Sequence, residues 1–196
     1  MRVLVEPNKV EIEVKKSRFI AIAEPLTALD LIKERVKETK ALHPQAVHVV
    51  HAAIVGKRAD QFSYSDDREP KNTAGRPALE VLKGSGITNI LVLIIRYFGG
   101  TLLGTGGLVK AYGDATKEVI NSLKTEKLIE KQNLSVVIGY DLYEMVKLII
   151  KEHQGTSTEE FATQVTLNIT VPESETPTLI ERITDLSGAQ ATINLL

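Results

Sequence analysis

The passage from Ile90 to Lys110 constrains this chain more than any other. Ile90 to Ile95 is apolar at every position. Arg96-Tyr97-Phe98 follows, then Gly99-Gly100, and then Gly104-Thr105-Gly106-Gly107. A strand with no polar face must be covered on both sides. Seven of the thirteen glycines lie between Gly84 and Gly107, so the chain breaks sharply where the strand ends. Leu108, Ala111, Tyr112, Ala115, Val119 and Leu123 then recur at helical spacing, which predicts a helix to about Thr125. Strand, glycine loop and helix in this order present backbone N–H groups to an anion, with Gly104 to Gly107 in the loop. Arg96 adds a cation at the strand end, where it can reach solvent or a ligand.

With 196 residues there is room for one large domain or two small ones. Hydrophobic residues make up 43% and charged residues 25%, as in ordinary globular proteins. No cysteine is present, which excludes disulfides, thiolate metal sites and cysteine nucleophiles and suits a reducing compartment. The first residues lack the apolar core of a signal peptide, and no uncharged apolar run approaches a membrane span. The expectation is a soluble cytoplasmic protein with no membrane partner. The net charge of −1 conceals a split. Residues 1–132 carry 21 Lys+Arg against 16 Asp+Glu, and residues 133–196 carry 3 against 9. A basic part followed by an acidic part suits different partners for each.

In chain order, Val10, Ile12 and Val14 alternate with charged residues and predict a half-buried strand. Phe19 to Ala23 predicts a second strand, ended by Pro25, and Ala28 to Lys40 a helix. Val47 to Val55 reads as a strand whose two histidines, His48 and His51, face opposite sides. They therefore form no two-histidine metal clasp, although His48 can line a pocket. Gly56 to Lys71 is polar and turn-rich. Within it, Asp66, Asp67 and Glu69 are weak candidates for magnesium or acid–base work, against the plainer role of helix caps. Pro77 to Lys83 predicts a short helix opened by proline and closed by Gly84.

From Lys127 the pattern changes to strand, helix, two strands, helix, strand. The strands fall near Leu134–Tyr140, Ser157–Thr163, Val165–Val171 and Ala189–Leu195, with helices Leu142–His153 and Thr178–Leu186. That is the ferredoxin-like βαββαβ plan. The expected architecture is α+β, two α/β two-layer domains with a boundary near residue 130 (1–130 and 131–196). The second domain carries no clustered catalytic residue types and suits an interaction module for a protein partner.

Several motifs together resemble the YigZ/IMPACT family. They are Lys16-Ser17-Arg18-Phe19, His43-Pro44, Ser65-Asp66-Asp67-x-Glu69-Pro70-x-x-Thr73-Ala74-Gly75-x-Pro77, and Arg96-Tyr97-Phe98-Gly99-Gly100-x-x-Leu103-Gly104-Thr105-Gly106-Gly107-Leu108. The resemblance covers the first domain at specific motifs and extends to the small second domain of prokaryotic members. It implies a first domain of the superfamily that holds a ribosomal-protein domain, domain IV of elongation factor G and the GHMP kinases. It implies a second domain similar to domain V of that factor. Eukaryotic relatives carry an additional RWD domain and act in translational control under amino-acid stress. This chain is expected to be of the prokaryotic two-domain type without that module. It also departs from the family pattern. Arg68 stands where glycine is usual, Asn72 where a small residue is usual, and Val49-Val50 follows His48 where a polar pair is usual.

Two functions follow from these readings. In the first, the chain is a translation-linked regulator that binds RNA or the ribosome. Arg76, Arg96 and Lys110 would meet phosphates, Gly99, Gly100 and Gly104 to Gly107 would supply N–H donors, and Tyr97 and Phe98 would stack on bases or pack in the core. In the second, it is a magnesium-dependent enzyme or binding protein for a phosphorylated small molecule or nucleotide. No residue stands out as a general base, which favours binding over catalysis, and no cofactor is implied. Both readings place the segments 66–77 and 96–110 together in one site.

Overall fold

A computed structural model describes the whole chain, Met1–Leu196. The fold is α+β, and the chain divides into two compact units, Met1–Leu128 and Ile129–Leu196.

The first unit is built on an antiparallel five-stranded sheet. Its strands are β2 (Asn8–Val14), β3 (Ser17–Pro25), β4 (His48–Val55), β5 (Gln61–Ser65) and β6 (Ile90–Tyr97), in the order β2-β3-β6-β4-β5. The short β1 (Arg2–Leu4) pairs instead with β7 (Thr125–Lys127). The all-apolar β6 takes the centre, where Ile90 to Ile95 are buried throughout. Its two faces feed two cores. Ile90, Val92 and Ile94 pack with α2 (Gly75–Gly84) and α3 (Gly104–Asn121), whereas Leu91, Leu93 and Ile95 pack with Ile32 and Val36 of α1 (Ile32–Leu42). The two-layer expectation describes α2 and α3 on their face; α1 supplies the cover that the second apolar face of β6 requires. His48 and His51 lie on opposite faces, as the period of two requires.

Three local expectations changed. Gln61 to Ser65 is an edge strand, hidden in the sequence because Phe62 and Tyr64 face solvent. The helix expected to reach Thr125 stops at Asn121, where Ser122 Oγ turns back to the Val119 carbonyl. The helix expected from Ala28 begins with a 3₁₀ turn, Leu29–Leu31, and no side chain caps it.

The second unit has the strands β8 (Lys131–Ile138), β9 (Thr156–Phe161), β10 (Val165–Pro172) and β11 (Thr192–Leu195), with α4 (Tyr143–Glu152) and α5 (Thr176–Leu186). The sheet order β11-β8-β10-β9, antiparallel throughout, is the ferredoxin-like one. The strict alternation of β10 buries Val165, Leu167, Ile169 and Val171 against Val146, Ile149 and Ile150 of α4 and Leu179 and Ile183 of α5. No helix of the chain is long and apolar enough to cross a membrane.

Candidate anion-binding site

One end of the first sheet gathers nearly all the singled-out motifs. There β6 finishes at Tyr97, β5 finishes at Ser65, β4 begins at His48, and the Lys15-Lys16 turn joins β2 to β3. The start of α2 packs so tightly on β5 that a Cβ on Gly75 would stand 2.6 Å from the Ser65 carbonyl oxygen. Gly99 is closed in the same way. A Cβ there would meet the Lys16 carbonyl carbon at 2.0 Å, and its N–H donates to Ser17 Oγ at 3.1 Å. Gly99 is therefore a packing glycine and not a free anion donor.

The segments 66–77 and 96–110 meet, and a buried ion pair joins them. Arg96 Nη1 donates to Glu69 Oε1 at 2.7 Å, and the Tyr112 hydroxyl donates to the same oxygen at 2.7 Å. Arg96 is 6% exposed and Glu69 7%. Arg96 also lies 5.6 Å from the ring of Phe19 and 5.8 Å from that of Phe98. Its Nε is buried without an acceptor. Burial, reinforced by the Glu69 charge, pushes the Tyr112 phenol far above its ordinary value, so it remains a donor. The expectation that Arg96 reaches solvent is thus corrected. A guanidinium at the end of a buried central strand needs a counter-charge, and Glu69 supplies it.

The three acidic residues do not converge. Asp66 caps α2: its Oδ1 accepts from the N–H groups of Ala74 and Gly75 at 3.1 and 2.8 Å, and its Oδ2 from Asn72 at 2.9 Å. Asp67 accepts from the Val49 N–H at 2.7 Å and from Lys40 Nζ at 2.6 Å. Glu69 is held by Arg96 and Tyr112. They therefore do not form the magnesium site expected of them, and no three His, Asp or Glu side chains are grouped to hold an ion. Thr73 closes the loop by donating its hydroxyl to the Pro70 carbonyl at 2.6 Å, Ala74 is buried, and Pro77 lies in the first turn of α2. Asp67, Arg68 and Asn72 hold φ of +40°, +71° and +63°. The left-handed backbone explains why glycine is the natural residue at 68 and 72.

Tyr97 and Phe98 divide between the faces. The Tyr97 hydroxyl lies 2.6 Å from His43 Nδ1, its ring packs against the α1-side core, and Arg18 lies 5.3 Å from its centroid. Tyr97 is therefore not a free stacking surface, whereas Phe98 is exposed. Gly104 to Gly107, expected as a loop, form the first turn of α3, entered through Gly104 at φ +72°. Its N-cap residue, Leu103, has no side chain able to cap it. Lys110 is exposed on α3, 3.8 Å from Asp114.

Above the ion pair opens a pocket of about 510 Å³. Its polar lining comes from His48, Arg68, Glu69, Arg96 and the Gly104-Thr105 turn, and its apolar lining from Val47, Pro70, Phe98, Leu102, Leu103 and Leu108. His48 Nδ1 lies 2.8 Å from the Asp67 carbonyl and so donates to it, while Nε2 is 3.7 Å from Glu69 Oε2. Tyr112 was hidden in the sequence as one member of an apolar helical stripe. Leu102 and Arg68 carried no signal as lining residues.

The profile of the Impact N-terminal domain matches residues 15–120, which include every residue of the pocket. The chain belongs to the IMPACT family. A second profile, a domain of unknown function (DUF1949), matches residues 136–190 of the IMPACT chain's second unit. An IMPACT family member of Haemophilus influenzae is 33% identical over 95% of this chain and 92% of its own length. The IMPACT family member YigZ of Escherichia coli is 33% identical over 92% of this chain and 90% of its own. A crystal structure of a hypothetical protein superposes with a TM-score of 0.74 at 30% identity, covering all of this chain and 96% of that one.

Proposed function

We propose that this IMPACT family chain is a translation-linked protein that binds RNA or the ribosome through the end of its first unit. The observation that supports this reading is a sorting of charge. Lys15, Lys16, Arg68, Lys71 and Arg76 are exposed at or beside that end, and none forms an ion pair. The acids of the same loops, Asp66, Asp67 and Glu69, are each spent on capping or pairing inside the fold. Unmatched cations beside loop acids that are turned inward suit a phosphate backbone. The second unit, residues 129–196, carries 4 Lys+Arg against 10 Asp+Glu and is unsuited to the same contact.

The test is co-sedimentation with ribosomes over a salt series, comparing wild type with a Lys15→Glu, Lys16→Glu, Arg76→Glu variant. These three side chains lie outside the buried ion pair, and the comparison uses variant protein whose thermal melt matches wild type. Wild type should travel with ribosomes at low salt and be released as salt rises, because binding displaces counterions. The variant should stay in the supernatant. A variant that sediments like wild type, or a wild type that never sediments, would overturn the reading.

A further inference from the structure

We infer that the pocket above the Arg96–Glu69 pair binds a small organic anion, a carboxylate or phosphate monoester on an apolar or aromatic body. The site shares Arg68 with the cationic surface proposed to meet RNA, but it does not rest on that reading.

The contrast between two helices carries the argument. The helices α2 and α3 both begin at the same end of the sheet and on the same face. At α2 the first N–H groups are filled from within, by the Asp66 carboxylate. At α3 the N-cap residue is Leu103, whose side chain offers no acceptor, and Gly104 and Thr105 form part of the pocket wall. A helix N-terminus stabilises negative charge placed against it. An anion in the pocket would do for α3 what Asp66 does for α2.

Arg96 supplies the second, independent observation. It lines the same pocket and is 94% buried, yet its Nε is left without an acceptor. Buried guanidinium N–H groups are rarely left unpaired, and those that are call for a reason. Arg68 adds an exposed guanidinium to the lining from a backbone at φ +71°, where glycine would be unstrained. Arg96 neutralises Glu69 and the uncharged Tyr112 hydroxyl only donates to it, so the pocket retains positive potential from Arg68 and the α3 terminus. Phe98, Leu102 and Leu108 then favour an organic body over a bare ion. The volume of about 510 Å³ lies within the range of small-ligand sites.

The experiment is an amide NMR titration of the full chain with phenyl phosphate, phenylacetate and inorganic phosphate, following Gly104, Thr105, Gly106 and the Arg96 Nε–H signal. The expected result is saturable shifts at these four groups with phenyl phosphate or phenylacetate, at a Kd of about 1 mM or tighter. Whichever of the two binds more tightly assigns the acid group. Inorganic phosphate should bind at least about ten-fold more weakly, because it lacks the apolar body. Two variants guard against misfolding. Arg68→Gly relieves the left-handed backbone, and Thr105→Asp places a carboxylate at the first turn of α3. Both should melt no lower than wild type, and both should lose affinity by about ten-fold or more. Absent shifts at these groups, equal binding of inorganic phosphate, or unchanged affinity in both variants would each overturn the proposal. So would a short RNA that shifts the same amides when neither aromatic acid does.

Discussion

Replacing Arg96 by Met should destabilise the first unit more than any loss of packing explains. The methylene stem is retained, so the substitution removes mainly charge. It leaves Glu69, 7% exposed, with the Tyr112 hydroxyl as its remaining short hydrogen bond. Attraction between unit charges about 4 Å apart is worth about 4 kcal/mol at an effective dielectric of ~20. Breaking one side of a buried pair typically costs about 3–5 kcal/mol, because the other charge stays desolvated. At ~1.4 kcal/mol per factor of ten, that is a loss of roughly a hundred-fold to several-thousand-fold in the folding equilibrium of this unit. Amide hydrogen exchange on the full chain reads it directly. Protection in the central strand β6 should fall by roughly that factor, while β10 in the second unit keeps its own and serves as reference. The control is the triple variant Arg96→Met, Glu69→Leu, Tyr112→Phe, which removes both charges and the orphaned hydroxyl together. It should recover to within about 1–2 kcal/mol of wild type. A single variant costing less than about 1 kcal/mol, or a triple variant as unstable as the single, would refute the reasoning.

Other expectations are narrower. Gly99→Ala should cost more than about 2 kcal/mol in urea unfolding, since its Cβ would lie 2.0 Å from the Lys16 carbonyl carbon and neither backbone can yield freely. Asp66→Ala should cost about 1–2 kcal/mol and raise exchange at Ala74 and Gly75, whose N–H groups lose their acceptor. For His51, burial holds the ring below its usual 6.5, with Asp67 pulling weakly the other way. The unfolded chain then takes up the proton first, so stability is full above about pH 6.5 and falls as pH drops toward the lowered value. Urea midpoints at about pH 7.5 and about pH 5.5 should differ in wild type and differ less in His51→Gln.

Much of this architecture is legible in the sequence. The run Ile90 to Ile95 dictates a strand covered on both faces, whatever the topology. The change of pattern after residue 130 and the alternation of Val165 to Val171 give the ferredoxin-like unit. The spacing of His48 and His51 separates them. The segments 66–77 and 96–110 are expected in one site, and the Arg96–Glu69 pair joins them. Local chemistry sets these features, and the tertiary fold only realises them.

What each polar side chain does was settled by the tertiary structure. Arg96 at a strand end reads as a cation free to reach solvent or a ligand. Only the central place of β6 in the sheet buries it, and burial then demands Glu69. Asp66, Asp67 and Glu69 read as one acidic cluster. The left-handed turn at Asp67 and Arg68 sends them instead to a helix cap, a strand amide and a guanidinium. Tyr112 reads as one more apolar position until packing brings its hydroxyl to Glu69. Gly104 to Gly107 read as a loop and are the first turn of a helix, so their donors point along its axis. Residue type and spacing fix periodicity and face. The partner of a charge depends on which distant segment the fold carries to it, and desolvation decides how strongly that partner is required.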